Sequence, residues 1–109
     1  LDPFHPMWFY LPIARHHFER GEHQEAFAAM RNVSMPEYYR AHMFRAAICA
    51  ELGRDAEARS AIENLLRLSP GFTTQRLVEE WRKWNATDDS IRRWVAALHK
   101  AGLPEGTEA

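Results

Sequence analysis

The sequence predicts an all-α fold of about six helices, on the basis of a helical hairpin and its repetition along the chain. The hairpin spans residues 46–70, where an alanine-rich helix, a turn at Gly53 and a second helix are followed by Pro70. Gly53 suits the left-handed backbone that often ends helices, and proline cannot continue a helix. A similar pattern stands earlier in the chain, so we expect stacked helical hairpins.

The repetition consists of matched small residues and regularly spaced prolines. The matched residues are Ala14, Gly21 and Ala26, followed 32 positions later by Ala46, Gly53 and Ala58. The prolines are Pro3, Pro36 and Pro70, with gaps of 33 and 34 positions. A period near 34 with these residue types is typical of a repeated helix-turn-helix unit.

On these residues the sequence resembles the tetratricopeptide repeat (TPR), which stacks helical hairpins into a right-handed α-α superhelix. The resemblance implies a single TPR-like domain over 1–109, with hairpin 1 at 7–35, hairpin 2 at 36–70 and non-consensus capping helices at 71–109. The segment 1–3, Leu-Asp-Pro, is similar to the end of a repeat. We therefore expect the chain to be a fragment of a longer protein.

The first hairpin opens with the aromatic stretch 4–10 and carries Pro12 soon afterwards. Inside a helix, proline removes a hydrogen bond and crowds the preceding turn. The helix therefore either starts near Phe9 or kinks at Pro12, and it continues to Gly21. The partner helix is predicted from Glu22 to the end of the hairpin.

The second hairpin is predicted to begin at Pro36 or Glu37, because proline and an acidic residue both suit the first turn of a helix. Ala46 on its first helix and Ala58 on its second are small enough for the two helices to approach closely. We therefore interpret both alanines as packing residues.

The last third of the chain departs from the repeat and is rich in tryptophan. A helix is predicted from about Thr73, and Thr87 or Asp88 is a good N-cap for a final helix that runs to Ala101. A solenoid needs an atypical terminal unit to cover its last apolar face. We expect this pair of helices to be that unit, with Trp94 on the buried face of the final helix.

Composition argues against several classes of protein. Acidic and basic residues nearly cancel, 15 against 14, and no run of about 18 apolar residues is present, so we expect neither nucleic-acid nor membrane binding. Tryptophans and basic residues alternate near the carboxyl end, as in some single-strand binders, but neighbouring acids dilute that pattern. The lone Cys49 is consistent with a reducing compartment, and we expect a cytoplasmic location.

The sequence predicts no catalytic, cofactor or metal site. It contains neither a nucleophile motif of the G-x-S-x-G type nor a phosphate-binding loop. His16, His17 and His23 surround the first turn, although their spacing does not follow a zinc-site pattern. A small metal-binding or enzymatic helical domain that uses these histidines is the alternative hypothesis.

The TPR resemblance implies a concave groove lined by the first helix of each hairpin. By register from the two turn glycines, the groove positions are Trp8, Leu11, Arg15, Phe18, Arg40, Met43, Ala47 and Ala50. This apolar surface with two arginines would suit a protein or peptide segment that is apolar and carries an acidic group. Alternatively, the amino-terminal residues of this set pack against an upstream repeat, and the exposed face then supports a homodimer.

A narrower resemblance comes from the segments 2–10 and 100–105 together with the two glycine turns. They are similar to the carboxyl-terminal TPR region of bacterial class III adenylate or guanylate cyclases and related winged-helix transcriptional regulators. In those proteins the catalytic or DNA-binding domain lies upstream. The resemblance implies a non-catalytic regulatory module whose partners include its own upstream domains.

Overall fold

The structure is a computed structural model that describes residues 10–34 and 36–104. These residues form six α-helices and no strand, which confirms the predicted all-α class. The helices are α1 (Tyr10–Glu19), α2 (His23–Met30), α3 (Tyr39–Glu51), α4 (Asp55–Leu68), α5 (Thr74–Lys83) and α6 (Asp88–Ala101). The right-handed superhelix and the division into repeats stay predictions. Within this part of the chain, every helix is too short or too polar to cross a membrane.

The turns of the two hairpins have the same hydrogen bonding. The N–H of Glu22 donates to the carbonyl of His17 at 2.8 Å, and 32 positions later the N–H of Arg54 donates to the carbonyl of Cys49 at 2.9 Å. The glycine before each donor, Gly21 or Gly53, has a positive φ of 80° or 77°. A side chain at these positions would strain the left-handed backbone, so the repeated glycine has a local structural cause.

Side-chain caps begin the last two helices. The Thr73 hydroxyl accepts a hydrogen bond from the Arg76 N–H at 3.2 Å, and the Thr87 hydroxyl accepts one from the Ser90 N–H at 3.1 Å. Each bond satisfies a backbone donor that has no partner inside its helix. The predicted starts of α5 and α6 are confirmed, with Thr87 rather than Asp88 as the N-cap.

The junction between the hairpins differs from the prediction, because α2 ends at Met30 and α3 begins only at Tyr39. Side chains of α3 bind the backbone of this connection instead. The Arg45 guanidinium donates to the carbonyl of Val33 at 3.2 Å, and His42 Nε2 lies 3.0 Å from the carbonyl oxygen of Pro36. These contacts satisfy carbonyls that a longer helix would have paired within itself.

Helix α3 lies at the centre of the fold, with α4 packed along one side and α6 along another. Nine of its residues are buried. Helix α6 also reaches α1, because the Trp94 ring stacks on Phe18 with their centroids 4.0 Å apart and packs against Phe44 at 4.8 Å. The tryptophan-rich helix pair thus covers apolar side chains of both hairpins.

Pro12 belongs to α1, near the first residue of the helix that the structure describes. The structure describes α1 from Tyr10 onward and includes Pro12 in this helix, so whether the helix starts near Phe9 or kinks at Pro12 stays a prediction. Trp8 and Phe9 lie outside the described residues.

Candidate functional site: an aromatic cleft

A cavity of about 550 Å³ opens between the start of α1, the start of α3 and the end of α5. We call it the aromatic cleft, and its lining residues are Leu11, Pro12, Arg15, Tyr38, Arg40, Met43, Phe44, Trp81, Trp84 and Ala86. Ligand sites in proteins are typically concave and mostly apolar, with a few placed polar groups and volumes of roughly 300–1,000 Å³. The aromatic cleft has these properties, with two arginines as its charged groups.

The turn after α5 places the outer wall of the cleft. Asn85 adopts a left-handed conformation with φ of 61°, which asparagine tolerates better than most residues. The N–H of Ala86 then donates to the carbonyl of Trp81 at 3.1 Å, closing the turn. As a result Trp84 stands at the rim with 68% of its surface exposed, and it is the one large apolar side chain so exposed within residues 10–34 and 36–104.

Arg15 forms one charged part of the cleft wall. Its guanidinium carbon lies 4.6 Å from the centroid of the Trp81 ring, a cation–π contact. Its Nε donates to Glu19 at 2.8 Å. The side chain is therefore held from two directions, with the planar group against the indole.

Arg40 is held in a similar way by residues of α3 and α5. Its guanidinium carbon lies 5.0 Å from the centroid of the Trp84 ring, and its Nη2 donates to Glu80 at 3.2 Å. Its Nε also donates to the Tyr39 hydroxyl at 3.3 Å. The pairing fixes an arginine beside the exposed tryptophan.

Glu19 joins the cleft to the helix behind it. One carboxylate oxygen accepts hydrogen bonds from Arg15, from the Ser90 hydroxyl and from the Trp94 indole, the last at 2.9 Å. Partial burial raises the pKa of Glu19, but the hydrogen bonds from Ser90, Arg15 and Trp94 outweigh it and hold the pKa below its ordinary value. The charged form of Glu19 is therefore a link between α1 and α6.

This link predicts a loss of stability in acid. Because folding lowers the pKa of Glu19, its contribution is complete above the unfolded value of about 4.3 and is lost as pH falls through the folded value. We expect the destabilisation caused by Glu19→Gln, measured by urea unfolding, to be larger at pH 7 than at about pH 3. Folding also lowers the pKa of Glu22 and Asp89, so the unsubstituted chain loses stability in acid as well. At each pH, the unfolding free energy of Glu19→Gln is therefore compared with that of the unsubstituted chain.

The control for this experiment is Glu63→Gln, which changes an exposed glutamate on α4. A destabilisation by Glu19→Gln that stays the same from neutral to acid pH would contradict the assigned role of the carboxylate.

The structure divides the predicted groove residues into three groups. Four of them come together around the aromatic cleft: Leu11, Arg15, Arg40 and Met43. Three are buried in the core: Phe18, Ala47 and Ala50. Trp8 lies outside the described residues. Phe18 is covered because Trp94 of α6 stacks on it, and the cleft is lined instead by residues earlier on α1 and α3.

Four aromatic residues line the cleft but do not belong to the predicted groove. These are Tyr38, Phe44, Trp81 and Trp84. Tryptophans three positions apart on a helix favour a shared buried face, and Trp81 does lie in the core. The available signal was the position of Trp84 between two polar residues, Lys83 and Asn85, at the predicted turn.

The histidines of the alternative hypothesis lie apart from the cleft. His17 Nδ1 is 2.8 Å from a Glu22 oxygen, and the His23 ring packs against Phe18 with centroids 5.2 Å apart. His16 is exposed. Within the described part of the chain, no three His, Cys, Asp or Glu side chains are grouped so as to hold a metal ion.

Comparison with known proteins gives no relative from which to assign the cleft. No protein-family model, no curated protein and no solved structure matches this chain.

Proposed function

We propose that this chain is a non-catalytic interaction module of a larger bacterial signalling protein, and that its aromatic cleft receives an apolar protein segment. The resemblance to the carboxyl-terminal repeats of bacterial cyclases supports the setting, in which the partner is another protein or the chain's own upstream domains. The observation that carries the proposal is an open aromatic cavity with Trp84 exposed at its rim.

The composition of the cleft favours a protein partner. Tryptophan, tyrosine and arginine dominate the residues that contribute most to binding at protein interfaces, and the cleft contains all three. Burying apolar surface contributes roughly 25 cal/mol per Å², so a partner side chain that covers Trp84 gains from an area that now faces water.

The cleft is also prepared for binding by its own contacts. Arg15 lies against Trp81 and Arg40 against Trp84, and each arginine is tied to a carboxylate. Side chains that are already ordered lose less conformational entropy when a partner arrives. The ordered arginines and indoles are therefore better explained as a binding surface than as a gap left by incomplete packing of the helices.

The spacing of the repeated turn supports the TPR part of the proposal. Two turns 32 residues apart use the same hydrogen bond and the same left-handed glycine. The same bond, with a left-handed residue before the donor, also ends α5 at Asn85 and α6 at Gly102, so the support for a repeat is the spacing of 32 positions and not the turn motif itself. In the proposed module, the hairpins supply the scaffold and the aromatic cleft supplies the contact.

The experiment is a comparison of Trp84→Ala with the unsubstituted chain. A partner is first identified by cross-linking in the cell of origin, and its affinity for the purified chain is then measured by calorimetry. If Trp84 is a central contact, its loss should weaken binding by roughly thirtyfold, as for a strong interface residue.

The matched control is Phe27→Ala on α2, because Phe27 also lies under arginines, Arg31 at 5.5 Å and Arg54 at 4.4 Å, but does not line the cleft. Equal weakening by the two substitutions, or none by Trp84→Ala, would refute the cleft as the binding surface.

A further inference from the structure

We propose that the segment received by the aromatic cleft presents a side-chain carboxylate next to an aromatic side chain, and that Arg15 and Arg40 bind this carboxylate. The inference rests on the proposed function and specifies the chemistry of the partner.

Both arginines have donors to spare. A guanidinium carries five N–H groups. Arg15 uses Nε on Glu19 and Nη2 on Ser90, whereas Arg40 uses Nε on Tyr39 and Nη2 on Glu80. Within the described residues the Nη1 atom of each arginine has no hydrogen-bond partner, although both side chains line the cleft. A carboxylate is the acceptor that best matches such planar, charged donors.

The charge balance of this wall also favours an anion. Arg40 and Arg76 share one carboxylate, Glu80, at 3.2 and 3.4 Å, and Arg15 is paired with Glu19 at 2.8 Å. Arg76, Glu19 and Glu80 lie outside the cleft lining, whose charged residues are Arg15 and Arg40. An arriving carboxylate supplies the missing negative charge, whereas a cationic group would add to the excess.

The surroundings strengthen such a pair. Met43 and Phe44 form a buried apolar part of the lining, and the indoles of Trp81 and Trp84 flank the guanidinium groups. Charge-assisted hydrogen bonds gain strength where water is excluded. An aromatic side chain next to the carboxylate would cover Trp84 and keep water away from the charged hydrogen bonds. We therefore expect the partner's carboxylate and aromatic side chain to be neighbours.

The test uses three short peptides with blocked ends that differ at one residue: acetyl-phenylalanyl-aspartate amide, its asparagine analogue and its lysine analogue. They are titrated into the full ¹⁵N-labelled chain, and the indole N–H signals of Trp81 and Trp84 are followed by NMR. We expect the aspartate peptide to bind about tenfold more tightly than the asparagine peptide, because a charged acceptor roughly doubles the strength of a hydrogen bond. The lysine peptide should bind least.

Substitution of Arg40 then tests whether this arginine causes the preference for the aspartate peptide. Arg40→Gln should reduce the preference for aspartate over asparagine to about twofold or less, while the asparagine peptide keeps its affinity. Arg59→Gln, which changes an exposed arginine on α4, is the matched control and should leave the preference unchanged.

The outcomes separate this inference from the proposed function. Equal binding of the aspartate and asparagine peptides at the two indoles would overturn the carboxylate assignment and leave the cleft as an apolar docking site. Tighter binding of the lysine peptide would also overturn it, with Glu19 and Glu80 as the partners. If none of the peptides shifts either indole signal, the proposed function fails together with the inference.

Discussion

Trp94→Ala is expected to cause a larger loss of stability than any other truncation to alanine on α6. Trp94 is fully buried, stacks on Phe18 of α1 and packs against Phe44 of α3. Truncating a buried tryptophan to alanine typically costs about 3–5 kcal/mol, through lost burial and the cavity left behind. Domains of this size have unfolding free energies of about 5–15 kcal/mol, so the variant should be close to unfolding at moderate temperature.

The measurement is urea unfolding followed by far-UV circular dichroism. Trp84→Ala is the matched control, since it makes the same change at a side chain that is 68% exposed and should cost about 0.5 kcal/mol or less. A second variant, Trp94→Phe, retains most of the apolar contact but removes the donor to Glu19. A similar cost for Trp94→Ala and Trp84→Ala would refute the central role of the contact between α6 and the hairpins.

Local signals in the sequence predicted most of the helices. The left-handed glycines at Gly21 and Gly53 and the caps at Thr73 and Thr87 act within one turn of their own positions, so residue type alone indicates them. The exception is the junction near Pro36, where α3 starts later than predicted. There the backbone is bound by His42 and Arg45, and such tertiary contacts override the local preference for a helix.

The aromatic cleft could be predicted only in part, because its residues come from distant parts of the chain. The register of the repeat indicated Arg15 and Arg40, since both lie on the first helix of a hairpin. Trp81 and Trp84 meet them across more than 40 positions, through the packing of the last two helices, which no local pattern specifies. The periodicity did place Trp94 on a buried face, but it did not indicate that Phe18 would be the partner.

In the hairpin at 46–70, enlarging the buried Ala46 is expected to cause the second large loss of stability. Ala46 is completely buried on α3, the helix that packs against α4 and α6, and Ala58 of α4 is buried as well. Adding a larger side chain to a well-packed interior typically costs about 1–3 kcal/mol, and sometimes more where the backbone must move. We therefore expect Ala46→Leu to lower the unfolding free energy by about 3 kcal/mol, because the helix is enclosed on several sides.

The matched control is Ala56→Leu on α4, which adds the same atoms at an exposed position and should change the unfolding free energy by about 0.5 kcal/mol or less. Urea unfolding of the two variants separates overpacking from the helix propensity of leucine, which is close to that of alanine in both helices. If Ala46→Leu unfolds at the same urea concentration as Ala56→Leu, then α3 and α4 do not need a small residue at this contact. The recurrence of alanine at Ala14 and Ala46 would then have a cause other than close helix packing.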